Sequence, residues 1–143
     1  MRFGVDSGAA VTAIPRKLAS DYPVTENPSG SKYLSATGEP ISDEGQRKLL
    51  VEAGGELRGI RSRVAAVRRP LMAVYDMVHS GHRVVFERDA EGRDISHAVH
   101  IATGRRVTFT PRQRTWDLDV DIIPACDVRE MSKNFRPVTA NVT

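Results

Sequence analysis

Short apolar, β-branched segments separated by glycine-bearing turns are the feature that most narrows what this chain can fold into. In its last third, residues 83–87, 95–101, 106–110 and 116–123 each have the length and composition of a strand. Glu91-Gly92, Thr103-Gly104 and a longer loop around Pro111 separate them. Residues 46–53 and 57–67 flank Gly54-Gly55, a hairpin signal, because glycine reaches the positive φ that tight hairpin turns need. Segments 32–36 and 41–45 are also extended and enclose the turn Thr37-Gly38-Glu39-Pro40. Residues 9–14 read as a buried strand that Pro15 stops, since proline has no amide hydrogen to donate. Residues 16–22 accommodate a helical turn or two, and 23–31, rich in Pro, Asn, Ser and Gly, read as a loop. Helical spacing predicts one short helix within 71–78, ending at Gly81. The sum is a mostly β domain over 1–123, followed by a tail or linker over 124–143.

Composition removes several classes. At 143 residues and 40% hydrophobic, the chain is one domain with enough apolar material for a core. No run approaches the roughly 18 apolar residues of a membrane-spanning helix, so no membrane partner is expected. The single cysteine, Cys126, cannot form an intrachain disulfide; it fits a reducing cytosol and a cytoplasmic location. Lys and Arg total 21 against 18 Asp and Glu, so the surplus is small. Arg58, Arg61, Arg63, Arg68 and Arg69 are nevertheless close in sequence, and such a cluster contacts phosphates or forms the solvated face of a strand pair.

One constellation carries chemistry. Phe3-Gly4-Val5 runs apolar into Asp6-Ser7-Gly8-Ala9, with Thr12 six residues after the aspartate. A carboxylate at the end of a buried strand is left facing a cleft. Gly8 permits close backbone approach, and the Ser7 hydroxyl can bond across the turn. By itself Asp-Ser-Gly is also an ordinary turn.

The run V-D-S-G-A-A-V-T-A-I-P, followed by Ala36, Gly38, Ile41 and Gly45 in the pattern A-x-G-x-x-I-x-x-x-G, resembles the retropepsin-like aspartic proteases of retroviruses and retrotransposons. R-P-L-M-A-V-Y-D-M-V also sits where that family places an apolar strand running into its short helix. The resemblance covers about residues 3–123. It implies an acid-protease barrel with one short helix and a flap at Ala36, Thr37, Gly38, Glu39, Pro40 and Ile41. Asp6 would be the catalytic carboxylate, supported by Ser7, Gly8, Ala9 and Thr12. It further implies an endopeptidase acting on polypeptide, processing a retrotransposon polyprotein, with no cofactor and no metal. With one D-S-G triplet in the chain, the family's solution is a homodimer in which each copy supplies Asp6.

The sequence also departs from the family pattern. Five residues precede Asp6, so the fold is expected to be N-terminally short, with an unpaired strand edge beside the catalytic strand. Leu71-Met72-Ala73 stands where the family often has a glycine at the third place, and Ala10 where many members have an acidic residue. The competing expectation is a catalytically inactive protease-like module that binds protein or, through the arginines, nucleic acid, or a fragment of a longer reading frame. Asp76, Asp117, Asp119 and Asp121 are further carboxylates, but none precedes a [ST]-G pair; the last three alternate with Leu118, Val120 and Ile122 and read as a solvated strand face. His97 and His100, three apart on a strand, fall on opposite faces and do not suit a shared metal. Trp116 and Phe109 read as sheet packing.

Overall fold

A computed structural model of the chain describes residues 1–25, 33, 34, 38, 40, 41 and 43–134. The fold is mostly β. Its first strand, β1 (Arg2–Asp6), is buried over Phe3, Gly4 and Val5 because it is paired on both sides. On one side lies β12 (Thr115–Asp119), antiparallel, with Phe3 opposite Leu118. On the other is β7 (Leu71–Ala73), parallel, with Asp6 opposite Ala73. The exposed edge expected beside β1 is therefore not found. The Val120 amide donates to the Met1 carbonyl and the Met1 ammonium to the Val120 carbonyl, so the β12 segment occupies that edge.

Beyond β7 the sheet continues through β2 (Ala13–Ile14), which is antiparallel to β7 and parallel to β6 (Glu56–Ala65). β6 forms the predicted hairpin with β5 (Asp43–Ala53); Gly54 and Gly55 make its turn at φ +60° and +80°. β13 (Asp121–Ile122) pairs with the far side of β5, and β11 (Thr110–Arg112) with the outer side of β12. The eight strands run in the order β11-β12-β1-β7-β2-β6-β5-β13. No ladder joins the two ends among the described residues, so the closed barrel implied by the resemblance is not seen there. A second sheet contains β10 (Arg106–Thr108), β9 (His97–His100) and β8 (His82–Val85), and β3 (Tyr33–Leu34) pairs with β4 (Pro40–Ile41).

The predicted short helix is α1 (Val74–His79), entered directly from β7 and followed by Gly81 at φ +90°. A second helix, α2 (Ala125–Asn134), occupies half of the segment expected to be a tail. Pro124 precedes it, Asp127 lies in its first turn, and the Ala125 amide donates to Asp21 Oδ2 at 2.8 Å. Ala125 is buried in the core and Val128 packs against it, so this end of the helix is docked. The expected strand over 9–14 shrinks to Ala13–Ile14, and 16–22 forms turns, with Leu18 bonded to Pro15 and Tyr22 to Ala19. The core gathers side chains from separate segments of the chain: Phe3, Ile14, Leu49, Val51, Val64 and Phe109 are all nearly inaccessible.

Candidate active site

Asp6 ends β1 at the point where the ladder to β7 also ends, and it is half-buried. The chain then turns back on it: the Gly8 amide donates to Asp6 Oδ1 at 2.8 Å. This is the aspartate turn that short acidic side chains favour. Gly8 keeps an ordinary negative φ, so its role is proximity. A Cβ added there would lie 3.3 Å from Asp6 Oδ1, tighter than usual van der Waals contact. The Ser7 hydroxyl is exposed and makes no hydrogen bond among the described residues, and Ala9 is half-buried. The cross-turn bond expected of Ser7 is thus supplied by Asp6 and Gly8 instead.

Thr12 is the anchor of the loop. It is 1% exposed. Its hydroxyl accepts from the Ala73 amide at 3.1 Å and donates toward Met72 Sδ at 3.5 Å. Its own amide donates to Asp76 Oδ2 at 2.9 Å, and its carbonyl accepts from the Arg63 amide at 2.9 Å. One residue therefore ties the segment after Asp6 to β7, α1 and β6. Asp76 was legible only as a spare carboxylate; its partner lies 64 positions earlier, and no local signal marks it.

Two of the other candidate carboxylates, Asp117 and Asp119, are ion-paired. Asp117 is 3% exposed, a correction to the solvated face expected of it, while Asp119 and Asp121 are exposed as expected. Arg69 reaches its Oδ1 at 2.6 Å and Arg112 its Oδ2 at 3.2 Å, and these charges make the burial tolerable. Asp119 bonds Arg112 and the Thr110 hydroxyl, and lies 3.6 Å from Arg2. The Arg112 hydrogen bond holds its carboxyl below the usual range, with the Thr110 bond adding and burial opposing. Asp121 is exposed on β13, five places from β1 in the sheet.

At the candidate flap, β3 and β4 pair antiparallel, Tyr33 opposite Ile41 and Leu34 opposite Pro40, with Gly38 exposed at φ +84°. Ala36, Thr37 and Glu39 lie outside the described residues. The arginines do not share one face. Arg58 and Arg61 are three apart on β6 and project oppositely; Arg58 is bonded to Glu56 and Arg69 to Asp117, while Arg61 and Arg68 are exposed. His79 stacks on Tyr75, His82 sits 5.1 Å from His100 between ring centres, and buried His97 places Nδ1 2.6 Å from the Ile95 carbonyl. Burial pushes the His82 imidazole below its ordinary pKa, with His100 adding to the effect. Among the described residues no three His, Cys, Asp or Glu converge as metal ligands, and no helix is long and apolar enough to cross a membrane. Trp116 and Phe109 pack as expected, both against Phe86, and the Trp116 indole donates to Asp94 Oδ2 at 2.9 Å. No protein-family model, curated protein or solved structure matches the chain.

Proposed function

We propose that the chain is a retropepsin-like aspartic endopeptidase that hydrolyses polypeptide as a homodimer, with Asp6 of each copy forming the catalytic pair and polyprotein processing as its task. The observation that carries this reading is the braced turn at the end of β1. Asp6 is held by one oxygen through Gly8, and Thr12 locks the following loop onto β7 and α1. A carboxylate so placed keeps its second oxygen for a water or for another carboxyl group.

The chemistry needs two carboxyl groups sharing one proton, because like charges about 3 Å apart do not both ionise. The ionised one takes a proton from water as it attacks the scissile carbonyl. The protonated one donates to the carbonyl oxygen, and proton transfer to the leaving nitrogen completes cleavage. Within one chain Asp117 and Asp119 are ion-paired with Arg69 and Arg112, and Asp76 holds the Thr12 amide, on which the bracing of the loop depends. A second copy of Asp6 across a two-fold axis is the simplest remaining source.

Cleavage of a denatured protein between about pH 4 and pH 7 tests the reading. Wild type should cut and Asp6→Asn should not, with both variants giving the same melting curve. Equal and absent cleavage by two folded proteins would sink it and favour a non-catalytic binding module.

A further inference from the structure

The inner face of the β5–β6 hairpin carries a sequence that core packing alone does not account for. Side chains on one face of a strand recur every second residue, and here the series is Ser62, Ile60, Arg58 and Glu56. Against it lies a cavity of about 500 Å³, whose apolar lining includes Val51, Met72, Met77, Ala98, Leu118 and Val120. Its volume falls in the range of small-molecule sites, roughly 300–1,000 Å³. Asp6 is not among its lining residues, but Thr12 and Asp76 are, so the cavity backs onto the bonds that brace the candidate catalytic turn.

Two features set this cavity apart from a packing defect. Ser62 is fully buried, lines it, and its hydroxyl has no hydrogen-bond partner among the described residues. Alanine would fill the same place without stranding a polar atom, and buried hydroxyls are nearly always partnered. Toward the hairpin turn the walls become cationic. Arg58 and Arg105 both bond the single carboxylate of Glu56, while Arg106 makes no ion pair among the described residues. His82 and His100 stand beside them. Three guanidinium groups against one carboxylate leave a positive surplus at that end.

We propose that this cavity binds a medium-chain monocarboxylate bearing a hydroxyl or carbonyl at its far end. The carboxylate sits among Arg58, Arg105 and Arg106, the chain crosses the apolar walls, and the distal oxygen pairs with Ser62. Four residues of extended strand separate Ser62 from Arg58, about 13 Å, which sets the length of the occupant. A phosphate or metal complex would leave the apolar walls unused. A plain fatty acid would leave the Ser62 hydroxyl unpartnered.

Calorimetric titration of the full chain with decanoate and with ω-hydroxydecanoate tests the assignment. Wild type should bind the hydroxylated acid about tenfold more tightly, the gain from partnering one buried hydroxyl. Ser62→Ala should remove that preference and bind the two acids alike, while melting no lower than wild type. Arg106→Gln should weaken both acids by a similar several-fold factor. Asp6→Asn should bind as wild type does, so loss of proteolysis and loss of binding are read separately. No heat with either acid, or equal affinities that Ser62→Ala leaves unchanged, would overturn the proposal.

Discussion

Replacing Thr12 with valine isolates the bond that holds the candidate catalytic loop to the sheet. Valine has nearly the same shape, so the cavity term is small and the change is the loss of one oxygen. That oxygen accepts from the Ala73 amide at 3.1 Å, and Ala73 is itself 0% exposed. Water cannot replace the acceptor without disturbing the packing, so the amide is left buried and unpaired at a cost of about 1–3 kcal/mol. The contact with Met72 Sδ adds little, because thioether sulfur is a weak acceptor. The amide of residue 12 keeps its bond to Asp76, so the loss should not spread to α1. For a chain of this size the shift in Tm is roughly 3–10 °C, measurable by thermal or urea denaturation. Thr12→Ser keeps the oxygen and loses only a methyl group, and should fall between wild type and Thr12→Val. A valine variant as stable as wild type, or more stable than the serine variant, would refute the bracing role.

Tyr22→Phe should cost about 1–2 kcal/mol in urea melts, since the buried hydroxyl donates to the Ile123 carbonyl at 2.5 Å and accepts from the Leu50 amide at 3.2 Å. An unchanged midpoint would show that these bonds do not tie β5 to the chain beyond β13. Asp119 gives a pH signature. Its carboxyl is held below the usual range chiefly by Arg112, so its contribution is present above the unfolded carboxylate pKa and disappears as pH falls through the folded one. Asp119→Asn should therefore be less stable than wild type near pH 7 and converge with it in acid; a gap that stays constant or widens in acid would contradict this.

The sequence discloses the parts of the fold that depend on neighbours close along the chain. Gly54-Gly55 and the runs beside it set the β5–β6 hairpin, and the spacing within 71–78 gives α1 up to Gly81, although its first three residues prove to be strand. The Asp6–Gly8 turn is equally local, because the bond that makes it joins residues two apart. What escaped was decided at long range. Alternation puts Asp117 on one strand face but says nothing of Arg69, 48 residues away, which makes burial of that one carboxylate tolerable. Arg47 lies in a strand pattern, yet its guanidinium reaches the carbonyls of Arg16, Leu18 and Tyr22 and caps the turns that replace the expected helix. The start of α2 is docked by Asp21 and by core contacts of Ala125 and Val128, neither visible in a short segment with a weak apolar face.

The central claim is that one active site is assembled from the Asp6 of two chains. Mixing wild type with an equal amount of folded Asp6→Asn, after time for subunit exchange, tests it most directly. Random pairing leaves about half of the wild-type chains facing an inactive partner. Cleavage per wild-type chain should then fall to about half of its value before mixing. Cleavage per wild-type chain that does not change on mixing would contradict the shared site and place all the chemistry within a single copy.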